Sequence, residues 1–440
     1  MSIYNNILEK ILLPIGDFIL GSSYSKSLNE VRKTVALDEK SLHELQKKNL
    51  ENIIDFAINN SEYYKNLNIE VHKDSVYETI KKFPILEKSI LRENTHSILT
   101  HESETLVKNS TSGSSGFQTT VYVSKKEQSF YRAIQTTWWE WAGFVQGKPI
   151  LQTGLSTKRS FEKRIKDYLF QTKYLFAFGL NSENTKEAFS WANNRNAFLG
   201  GYASSLYVLA QIAETQKEKI KFKSAISWGD KLFDHYKTKI EQVFKCRVFE
   251  TYGASEGLMI ASQKDLEYMY IMSPYIYLEI LDDNGNEVND GEMGHIVVTS
   301  LIHKSMPLIR YKLGDLGIKL PVTEYPSKRE LALPILKKVI GRETDIVRTP
   351  KGKKLIVHSF TGIFEYFPEI RQFCVIQEQI GGIRIQYIRS ESFKLEVLDA
   401  IKKQLSELIN EPFSMEFESV ESIAPTGSGK PQIVISKLKN

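Results

Sequence analysis

The first regular pattern of apolar positions lies between residues 41 and 59. Leucine, isoleucine and alanine recur there every three or four residues, a spacing that places them on one face of a helix. The positions are Leu42, Leu45, Leu50, Ile53, Ile54 and Ala57. We therefore predict an amphipathic helix that packs through this face.

An apolar segment, ILEKILLPIGDFILG, precedes this helix at residues 7–21. It contains Glu9, Lys10, Pro14 and Asp17, has no basic region before it, and is too short to span a bilayer. We expect no transmembrane segment and interpret it as a helix or turn that covers the core. An anchor at a membrane surface is the alternative.

Short β-rich runs alternate with longer helical segments from about residue 104. The runs are VYVS at 121, PILQT at 149, KYLFAF at 173, AFLGGY at 197, SAISW at 224 and CRVFETY at 246. The helical segments lie around residues 126–142, 183–194, 203–215 and 230–244. This alternation predicts crossover βα units and a largely parallel sheet.

The pattern changes after residue 270, where YIYLEIL and HIVVTSL flank the turn residues Asn284 and Gly285. We predict an antiparallel hairpin there, in a small β-barrel or second sheet. A proline-containing stretch, residues 320–335, follows near a domain boundary. We predict an α/β fold with a large N-terminal domain, 1–339, of parallel βα sheets plus a small β-barrel, and a small mobile α+β C-terminal domain, 340–440.

Composition and charge exclude some classes of function but do not indicate one. With 440 residues, 41% of them hydrophobic and 25% charged, the chain is typical of a globular protein. The net charge of +5 is spread without a run of like charges, so nucleic acid binding has little support. Cys246 and Cys374 are far apart in the sequence, which favours neither a disulfide nor a zinc site and makes the cytoplasm the default location.

The loop STSGSSGFQTT, residues 110–120, is rich in hydroxyl groups and lies between two β-like runs. Its glycines permit a backbone that aims successive N–H groups at one point, and its serines add O–H donors, an arrangement that suits a triphosphate. The residues concerned are Ser112, Gly113, Ser114, Ser115 and Gly116. A polar connector is the alternative interpretation.

The sequence GASEG, Gly253 to Gly257, follows a predicted strand and supports two interpretations. It matches the nucleophile elbow of α/β-hydrolases, with Ser255 as the nucleophile. The triad would be completed by Asp265 or Asp315 and by His295, His303 or His358. Alternatively, Glu256 supplies a magnesium carboxylate beside bound phosphates.

Three further stretches carry charged residues at glycine turns. PLIRYKLGDLG (307–317) and GRETD (341–345) place arginine and aspartate where they could hold a ribose diol or a phosphate, although each could be a turn salt bridge. TGSGKP (426–431) places Lys430 on a glycine-rich turn. It is not a Walker A loop, because Pro431 and a strand follow the lysine.

In this order the motifs TSGSSG, ETYGASEG, LIRYKLGD, GRETD and SGK resemble the adenylate-forming (acyl-CoA synthetase-like) superfamily across nearly the whole chain. Within it the chain is most similar to the phenylacetate-CoA ligase branch, which includes CapK-type proteins associated with surface polysaccharide synthesis. NSEYYKNL (60–67) and GGYASSLYVLA (200–210) carry the narrower likeness.

This resemblance implies roles for the motif residues. Ser112, Ser114 and Ser115, with the backbone of Gly113 and Gly116, would hold the β- and γ-phosphates of ATP. Glu256 would bind Mg²⁺, and Lys430 would place positive charge on the carboxylate and α-phosphate as pyrophosphate leaves. The residues implied to contact the adenylate or its ribose are Thr251, Tyr252, Gly253, Asp315, Arg310 and Arg342. The hinge of the small domain would lie at Glu343, Thr344 and Asp345.

The acid pocket is implied by position alone. Trp138, Trp139 and Trp141 lie on the helix after the phosphate loop, and the family places that helix beside the acyl group. The candidates are Trp138, Trp141, Ser227, Trp228 and Ala254, with core packing as the alternative for the tryptophans. The chain departs from the family at Phe117 and Gln118, in place of a lysine and a proline, and at Trp228-Gly229-Asp230, in place of a Gly-Glu pair.

The resemblance implies ATP-dependent activation of a carboxylic acid as acyl-AMP, followed by acyl transfer to coenzyme A. Its cofactors would be ATP, Mg²⁺ and coenzyme A. Transfer to an amine or hydroxyl of a surface-polysaccharide sugar precursor is the first alternative. A serine hydrolase and a non-catalytic nucleotide-binding protein are alternatives of other classes, and a homodimer is left open.

Overall fold

The computed structural model describes residues 3–71, 75–110, 119–154, 156, 159–177, 180–342, 346–364, 366–367, 369–424 and 433–438. The chain forms two compact units. The first comprises Met1–Thr111, Gln118–Leu313 and Ile318–Lys338, and the second contains Gly314–Gly317 and Val339–Asn440.

The helices of the described chain follow this order. They are α1 (Ile3–Ile7), α2 (Leu13–Leu20), α3 (Tyr24–Thr34), α4 (Glu39–Asn60), α5 (Glu62–Asn66), α6 (Val76–Lys81), α7 (Lys88–Glu93), α8 (Thr95–Ile98), α9 (Lys125–Trp141), α10 (Phe161–Leu169), α11 (Ser182–Asn193), α12 (Ala203–Thr215), α13 (Asp234–Phe244), α14 (Val357–Phe364) and α15 (Glu396–Ile409). A π-helical turn, Leu8–Leu12, joins α1 to α2, and short 3₁₀ turns cover Ser103–Thr105 and Val322–Glu324.

The strands are likewise numbered along the chain. They are β1 (Val107–Ser110), β2 (Thr120–Val123), β3 (Ile150–Gly154), β4 (Thr172–Phe176), β5 (Phe198–Tyr202), β6 (Ala225–Trp228), β7 (Val248–Ala254), β8 (Leu258–Gln263), β9 (Met269–Ile271), β10 (Ile276–Leu281), β11 (Met293–Ser300), β12 (Tyr311–Lys319), β13 (Ile335–Arg342), β14 (Ile346–Arg348), β15 (Lys354–Ile356), β16 (Ile370–Gln379), β17 (Gly382–Arg389), β18 (Ser414–Ser419) and β19 (Val434–Ser436).

The helix predicted over residues 41–59 is confirmed as α4. Asp38 caps its N-terminus by accepting a hydrogen bond from the Ser41 N–H. Leu42, Leu50, Ile53, Ile54 and Ala57 are buried on one face, as the spacing predicted.

A parallel sheet built from crossover βα units is also confirmed. The strand order of the large sheet is β10-β11-β12-β13-β9-β8-β7-β6-β5-β3-β4. Strands β7, β6, β5, β3 and β4 are paired in parallel, and the helices between them are the crossovers. The first predicted run, VYVS, instead forms β2, which pairs antiparallel with β1 in a separate two-stranded sheet.

The predicted hairpin is confirmed as the antiparallel pair β10 and β11. Its turn is stabilised by Asp282, whose Oδ1 accepts hydrogen bonds from the backbone N–H groups of Asn284 and Asn286. Gly285 has a positive φ of 83°, which a side chain would disfavour. The hairpin strands are hydrogen-bonded into the large sheet rather than into a separate one.

The core lies on both faces of the parallel strands. Because successive strand residues point to opposite faces, Leu199 and Phe198 belong to different clusters. Leu199 packs with α11, α12 and α13, whereas Phe198 and Ile226 pack with Phe144 and Trp139 on the opposite face.

The second unit contains a four-stranded sheet in the order β18-β17-β16-β19. Its centre is the antiparallel pair β16 and β17, and β18 and β19 are added in parallel at either side. Helix α15 buries Ile401, Leu405 and Ile409. These elements confirm the α+β character predicted for the C-terminal region.

The N-terminal segment was interpreted as a helix or turn that covers the core. It is helical, but it covers little of the core. Asn5 and Leu8 are buried, whereas α2 buries none of its residues. Among the described residues, no helix is long and apolar enough to cross a membrane.

Candidate active site

The GASEG motif forms the tight turn between β7 and β8. These strands pair antiparallel up to Ala254 and Leu258, with an irregularity between Tyr252 and Gly253. Gly257 has a φ of 87°, and a Cβ there would lie 3.0 Å from the Tyr131 ring and 3.2 Å from His303 Nε2. Glycine is therefore required at this position by both backbone conformation and space.

The turn directs Glu256 into the protein, where only 3% of its surface is exposed. The Tyr311 hydroxyl, at the start of β12, donates a hydrogen bond to Glu256 Oε1 over 2.8 Å. Within the described chain no lysine or arginine forms an ion pair with this carboxylate. A buried carboxylate with one neutral donor has oxygen lone pairs left for a cation.

Glu256 fits a Mg²⁺ ion of the kind that also binds substrate phosphates. Mg²⁺ in such sites is held by one or two carboxylates, with phosphate and water oxygens completing the octahedron. No group of three or more metal-ligating side chains is found in the described part of the chain, so an all-protein cage is not present there.

The turn does not match the nucleophile elbow of a hydrolase. That motif requires a strand, a sharp turn at the serine and then a helix. Here an antiparallel strand, β8, follows Ser255, and this serine lies exposed at the tip of a hairpin. The local structure therefore disagrees with the hydrolase alternative.

The ends of β6 and β7 bring two predicted site residues together. Thr251 Oγ1 donates a hydrogen bond to the Ser227 carbonyl oxygen over 2.9 Å. The Ser227 side chain is fully buried, and its Oγ has no hydrogen-bond partner among the described residues. The hydrogen bond from Thr251 thus ties β7 to β6 where these two strands end.

Trp228 stacks on Trp139 at the same edge of the sheet. The ring centroids are 5.5 Å apart and the planes are 16° from parallel. Gly200, on the neighbouring strand β5, makes room for this pair, because a Cβ there would lie 2.8 Å from Trp228 Cη2. Because Ser227 and Trp228 are successive residues of β6, their side chains point to opposite faces of the sheet, and the indole pair lies on the face of Phe198 and Ile226.

Asp230 has a structural role, which explains part of the departure from the family at Trp228-Gly229-Asp230. Its carboxylate accepts hydrogen bonds from the backbone N–H groups of Ala203 and Ser204 and from the Ser204 hydroxyl. These groups begin α12, so the aspartate caps that helix and also complements its dipole. Gly229 has a φ of 81° and packs against the Tyr202 ring.

Two of the predicted pocket tryptophans belong to the core. Trp138 is 2% exposed and packs with Ile134 and Met272. Trp141 contacts the Tyr270 ring edge-on in the same cluster. The structure therefore favours the core alternative for both, whereas Trp139, on a different face of α9, contacts Trp228.

Arg310 lies in a buried ion pair. Its guanidinium donates to both Glu279 oxygens, over 3.2 and 2.9 Å, and to the carbonyl oxygens of Lys81 and Phe83. Arg310 is 6% exposed and has a positive φ of 50°. Its donors are largely engaged, which favours a structural role over the predicted contact with the nucleotide.

Asp315 and Arg342 lie on β12 and β13, which are neighbours in the large sheet. Both side chains are partly buried. Gly253 and Ala254 end β7, and Tyr252 is partly buried beside them. The roles predicted for these residues toward the adenylate stay predictions.

Several predicted site residues lie outside the described residues. They are the phosphate-loop residues Ser112, Gly113, Ser114, Ser115 and Gly116 with Phe117 and Gln118, the hinge residues Glu343, Thr344 and Asp345, and the lysine Lys430.

His303, one of the triad candidates, forms a buried polar group behind the turn with Glu127, which the sequence did not indicate. Glu127 Oε1 accepts hydrogen bonds from the backbone N–H groups of Lys304 and Ser305, so α9 is tied to this loop. His303 is fully buried, and neither ring nitrogen has a hydrogen-bond partner in the described chain. Burial lowers the pKa of His303, which keeps the imidazole neutral near pH 7.

Glu250, on β7 next to Thr251, provides a prediction about pH. Burial raises the pKa of its carboxyl from 4.5 to about 7, against the opposing effect of Lys231, Lys237 and Lys338. The folded protein thus keeps a proton that the unfolded chain releases, and the free energy of unfolding should fall as pH rises from about 4.5 to 7. The total fall that Glu250 contributes between these pH values is at most about 3 kcal/mol, and Glu250→Gln should remove it, as measured by urea unfolding across this range.

The exposed Glu62→Gln is the matched control and should leave the slope unchanged. An equally steep slope in Glu250→Gln would contradict the assignment to Glu250.

Comparison with known proteins connects this geometry to a family. Residues 347–437 match the family described as the CapK C-terminal domain. Protein CapK of Staphylococcus aureus is 24% identical over 457 aligned positions, which cover 99% of each chain. Phenylacetate-coenzyme A ligase of Pseudomonas putida is 29% identical over 133 positions, or 29% of each chain.

The solved structures agree in fold. A 2-hydroxyisobutyryl-CoA ligase, in the postadenylation state and in complex with R3-HIB-AMP, superposes with a TM-score of 0.71 over 92% of each chain, at 17% identity. ATP-bound MatB from Rhodopseudomonas palustris gives a TM-score of 0.54 over 77% of this chain. The chain is therefore a homologue of CapK along its whole length, with the fold of the adenylate-forming ligases.

Proposed function

We propose that the chain is an AMP-forming acid ligase that activates a carboxylic acid with ATP and transfers the acyl group to an acceptor. The observation that carries this proposal is the buried Glu256 carboxylate, held by Tyr311 at the turn where the family resemblance places the magnesium ligand. The whole-length similarity to CapK and the fold shared with adenylate-forming ligases support it.

In the first step a carboxylate oxygen of the acid attacks the α-phosphorus of ATP. The bond from this phosphorus to the oxygen that bridges to the β-phosphorus breaks, so pyrophosphate leaves and acyl-AMP forms. A Mg²⁺ held by Glu256 would neutralise charge on the phosphate oxygens. Lys430 would add positive charge to the carboxylate and the α-phosphate, while Ser112, Ser114 and Ser115 hold the β- and γ-phosphates.

The ribose and the adenylate would be held by residues at the ends of the strands. Asp315 would accept hydrogen bonds from both ribose hydroxyls, with Arg342 nearby. Thr251, Tyr252 and Gly253, at the end of β7, would lie along the adenylate. We leave Arg310 out of this set, because its guanidinium is bound to Glu279.

The acyl group would lie against the stacked rings of Trp139 and Trp228. The geometry therefore favours a small or flat acid over a long chain, because a long chain would have to displace the stacked indoles.

In the second step the acceptor attacks the acyl carbon, the bond to AMP breaks, and the acceptor loses its proton. Coenzyme A is our first choice for the acceptor, because the 2-hydroxyisobutyryl-CoA ligase and the phenylacetate-coenzyme A ligase to which the chain is similar are both coenzyme A ligases. An amine or hydroxyl of a surface-polysaccharide sugar precursor is the second choice, on the basis of the similarity to CapK. We place the reaction in the cytoplasm, where ATP is available and thiols stay reduced.

The test is acid-dependent exchange of labelled pyrophosphate into ATP, run over a panel of carboxylic acids and with Mg²⁺ present or removed. Exchange should occur only with acids that the pocket accepts and should require Mg²⁺. ATP binding without exchange for any acid would favour the non-catalytic alternative. Turnover of a model ester that is abolished by Ser255→Ala would favour the hydrolase.

A further inference from the structure

Exposed apolar side chains are concentrated in two helical segments of the first unit, residues 3–20 and α10. In the described part of the chain, twenty large hydrophobic side chains are exposed, nine of them in residues 3–20 and three in α10. Scattered exposed apolar residues are ordinary, but such a concentration indicates an interaction surface.

The N-terminal segment presents its apolar residues outward in a regular stripe. Isoleucine recurs every fourth residue, and the most exposed side chains are Ile3, Phe18 and Ile19, at 80, 91 and 73%. The recurring residues are Ile3, Ile7, Ile11, Ile15 and Ile19. A four-residue repeat keeps side chains near one side of a helix, so these residues form a ridge that faces solvent.

The other side of the same segment fixes it to the protein. Leu8 is 1% exposed and lies so close to Gly147 that a Cβ there would be 2.8 Å from its side chain. Asn5 donates a hydrogen bond to the Gln146 carbonyl oxygen, and Arg32 forms an ion pair with Glu9. The outward ridge is thus held in place by buried contacts and is part of the folded surface.

Helix α10 extends this surface. The Tyr4 hydroxyl donates a hydrogen bond to the carbonyl oxygen of Leu169 at the end of α10, which joins the two segments. Phe161, Ile165 and Tyr168 share one side of α10 and are 75, 47 and 84% exposed. We call these three residues and the isoleucine ridge with Phe18 the N-terminal apolar face.

The rim of this face carries cations. Lys10 and Arg164 are exposed, and neither has an acidic partner among the described residues, while the exposed Glu162 of α10 adds one negative charge. The acidic Asp167 of α10 is paired with Arg159, over 2.8 Å. Glu9 is similarly paired with Arg32. The charge left available beside the apolar side chains is therefore mainly positive.

We propose that the N-terminal apolar face binds the surface of a lipid bilayer that contains anionic headgroups. Interfacial helices bury an apolar face at the boundary between headgroups and acyl chains, while lysine and arginine contact anionic lipids. A two-fold contact with a second copy explains the face less well, because it would bring the same unpaired cations of both copies to one interface. The inference is independent of the proposed ligase activity.

Flotation of the full chain with lipid vesicles tests this proposal. The chain should float with vesicles of phosphatidylcholine and phosphatidylglycerol, less with phosphatidylcholine alone, and less again at high NaCl because salt screens the cations. Phe18→Ser with Ile19→Ser should lower the partition coefficient about tenfold or more, since two apolar side chains leave the lipid. Lys10→Glu with Arg164→Glu should abolish the preference for phosphatidylglycerol.

Matched controls lie in the second unit. The exposed Leu395→Ser, and Lys402→Glu with Lys403→Glu, should leave flotation unchanged. Thermal unfolding of each variant verifies that it is folded. Equal flotation of the wild type and the Phe18, Ile19 variant would overturn the proposal. It would also be overturned if the wild type bound no vesicles and formed a dimer in analytical ultracentrifugation that this variant dissociated.

Discussion

Acid-dependent pyrophosphate exchange should fall about 100- to 1000-fold when Glu256 is replaced with glutamine, the range expected for removing a group that stabilises transition-state charge. The amide keeps the shape of the side chain and can still accept the hydrogen bond of Tyr311. It loses the negative charge that would hold Mg²⁺ beside the phosphates. Initial rates of exchange, measured over a Mg²⁺ titration, check this result.

Tyr311→Phe is the matched variant for this prediction. It retains the carboxylate but removes the 2.8 Å hydrogen bond that orients it, so a loss of about tenfold is expected, together with a higher Mg²⁺ requirement. Lys430→Ala should remove exchange to a similar extent as Glu256→Gln, whereas the exposed Lys402→Ala should leave it unchanged. Full exchange in Glu256→Gln, with the same Mg²⁺ dependence as the wild type, would refute the role of this carboxylate.

The second large effect concerns stability rather than activity. Glu279→Gln should lower the free energy of unfolding by about 3–5 kcal/mol, because it leaves the Arg310 guanidinium buried without a counter-charge. Arg310 and Glu279 are both almost fully buried, and their closest N···O distance is 2.9 Å. Urea unfolding measures the change.

An exposed ion pair provides the control. Glu187→Gln removes the partner of Lys173, but the Glu187 side chain is 79% exposed, so a loss of only about 0.2–1 kcal/mol is expected. If Glu279→Gln left stability unchanged while it weakened ATP binding, Arg310 would be a nucleotide ligand, as the sequence first indicated.

The elements of the fold follow largely from local sequence. The spacing of Leu42, Leu50 and Ala57 predicted α4, and the Asn284-Gly285 pair predicted the hairpin of β10 and β11. These signals are local because a helix repeats every 3.6 residues and a tight turn depends on the conformations of two residues. Helix α10 was not predicted, although the spacing of Phe161, Ile165 and Tyr168 is a helical signal in the sequence.

The candidate site, like the fold, was predicted from the sequence only in part. The order of five motifs predicted the superfamily, and the whole-length similarity to CapK and the fold shared with adenylate-forming ligases agree with it. Sequence spacing grouped Trp138 with Trp141, and only the packing of α9 on the sheet placed these two in the core and Trp139 on Trp228.

The sequence by itself determined the resemblance to a family, the parallel and antiparallel regions of the sheet, and the residue types of the candidate site. Only the tertiary structure decided which charged groups are paired within the protein and which apolar side chains are buried. Arg310 and Glu279 are 31 residues apart in the sequence. The spacing of the isoleucines from Ile3 to Ile19 would equally suit a buried helix face, so the sequence alone does not show that they are exposed. Ion pairing and burial depend on contacts between distant segments, and local patterns do not contain this information.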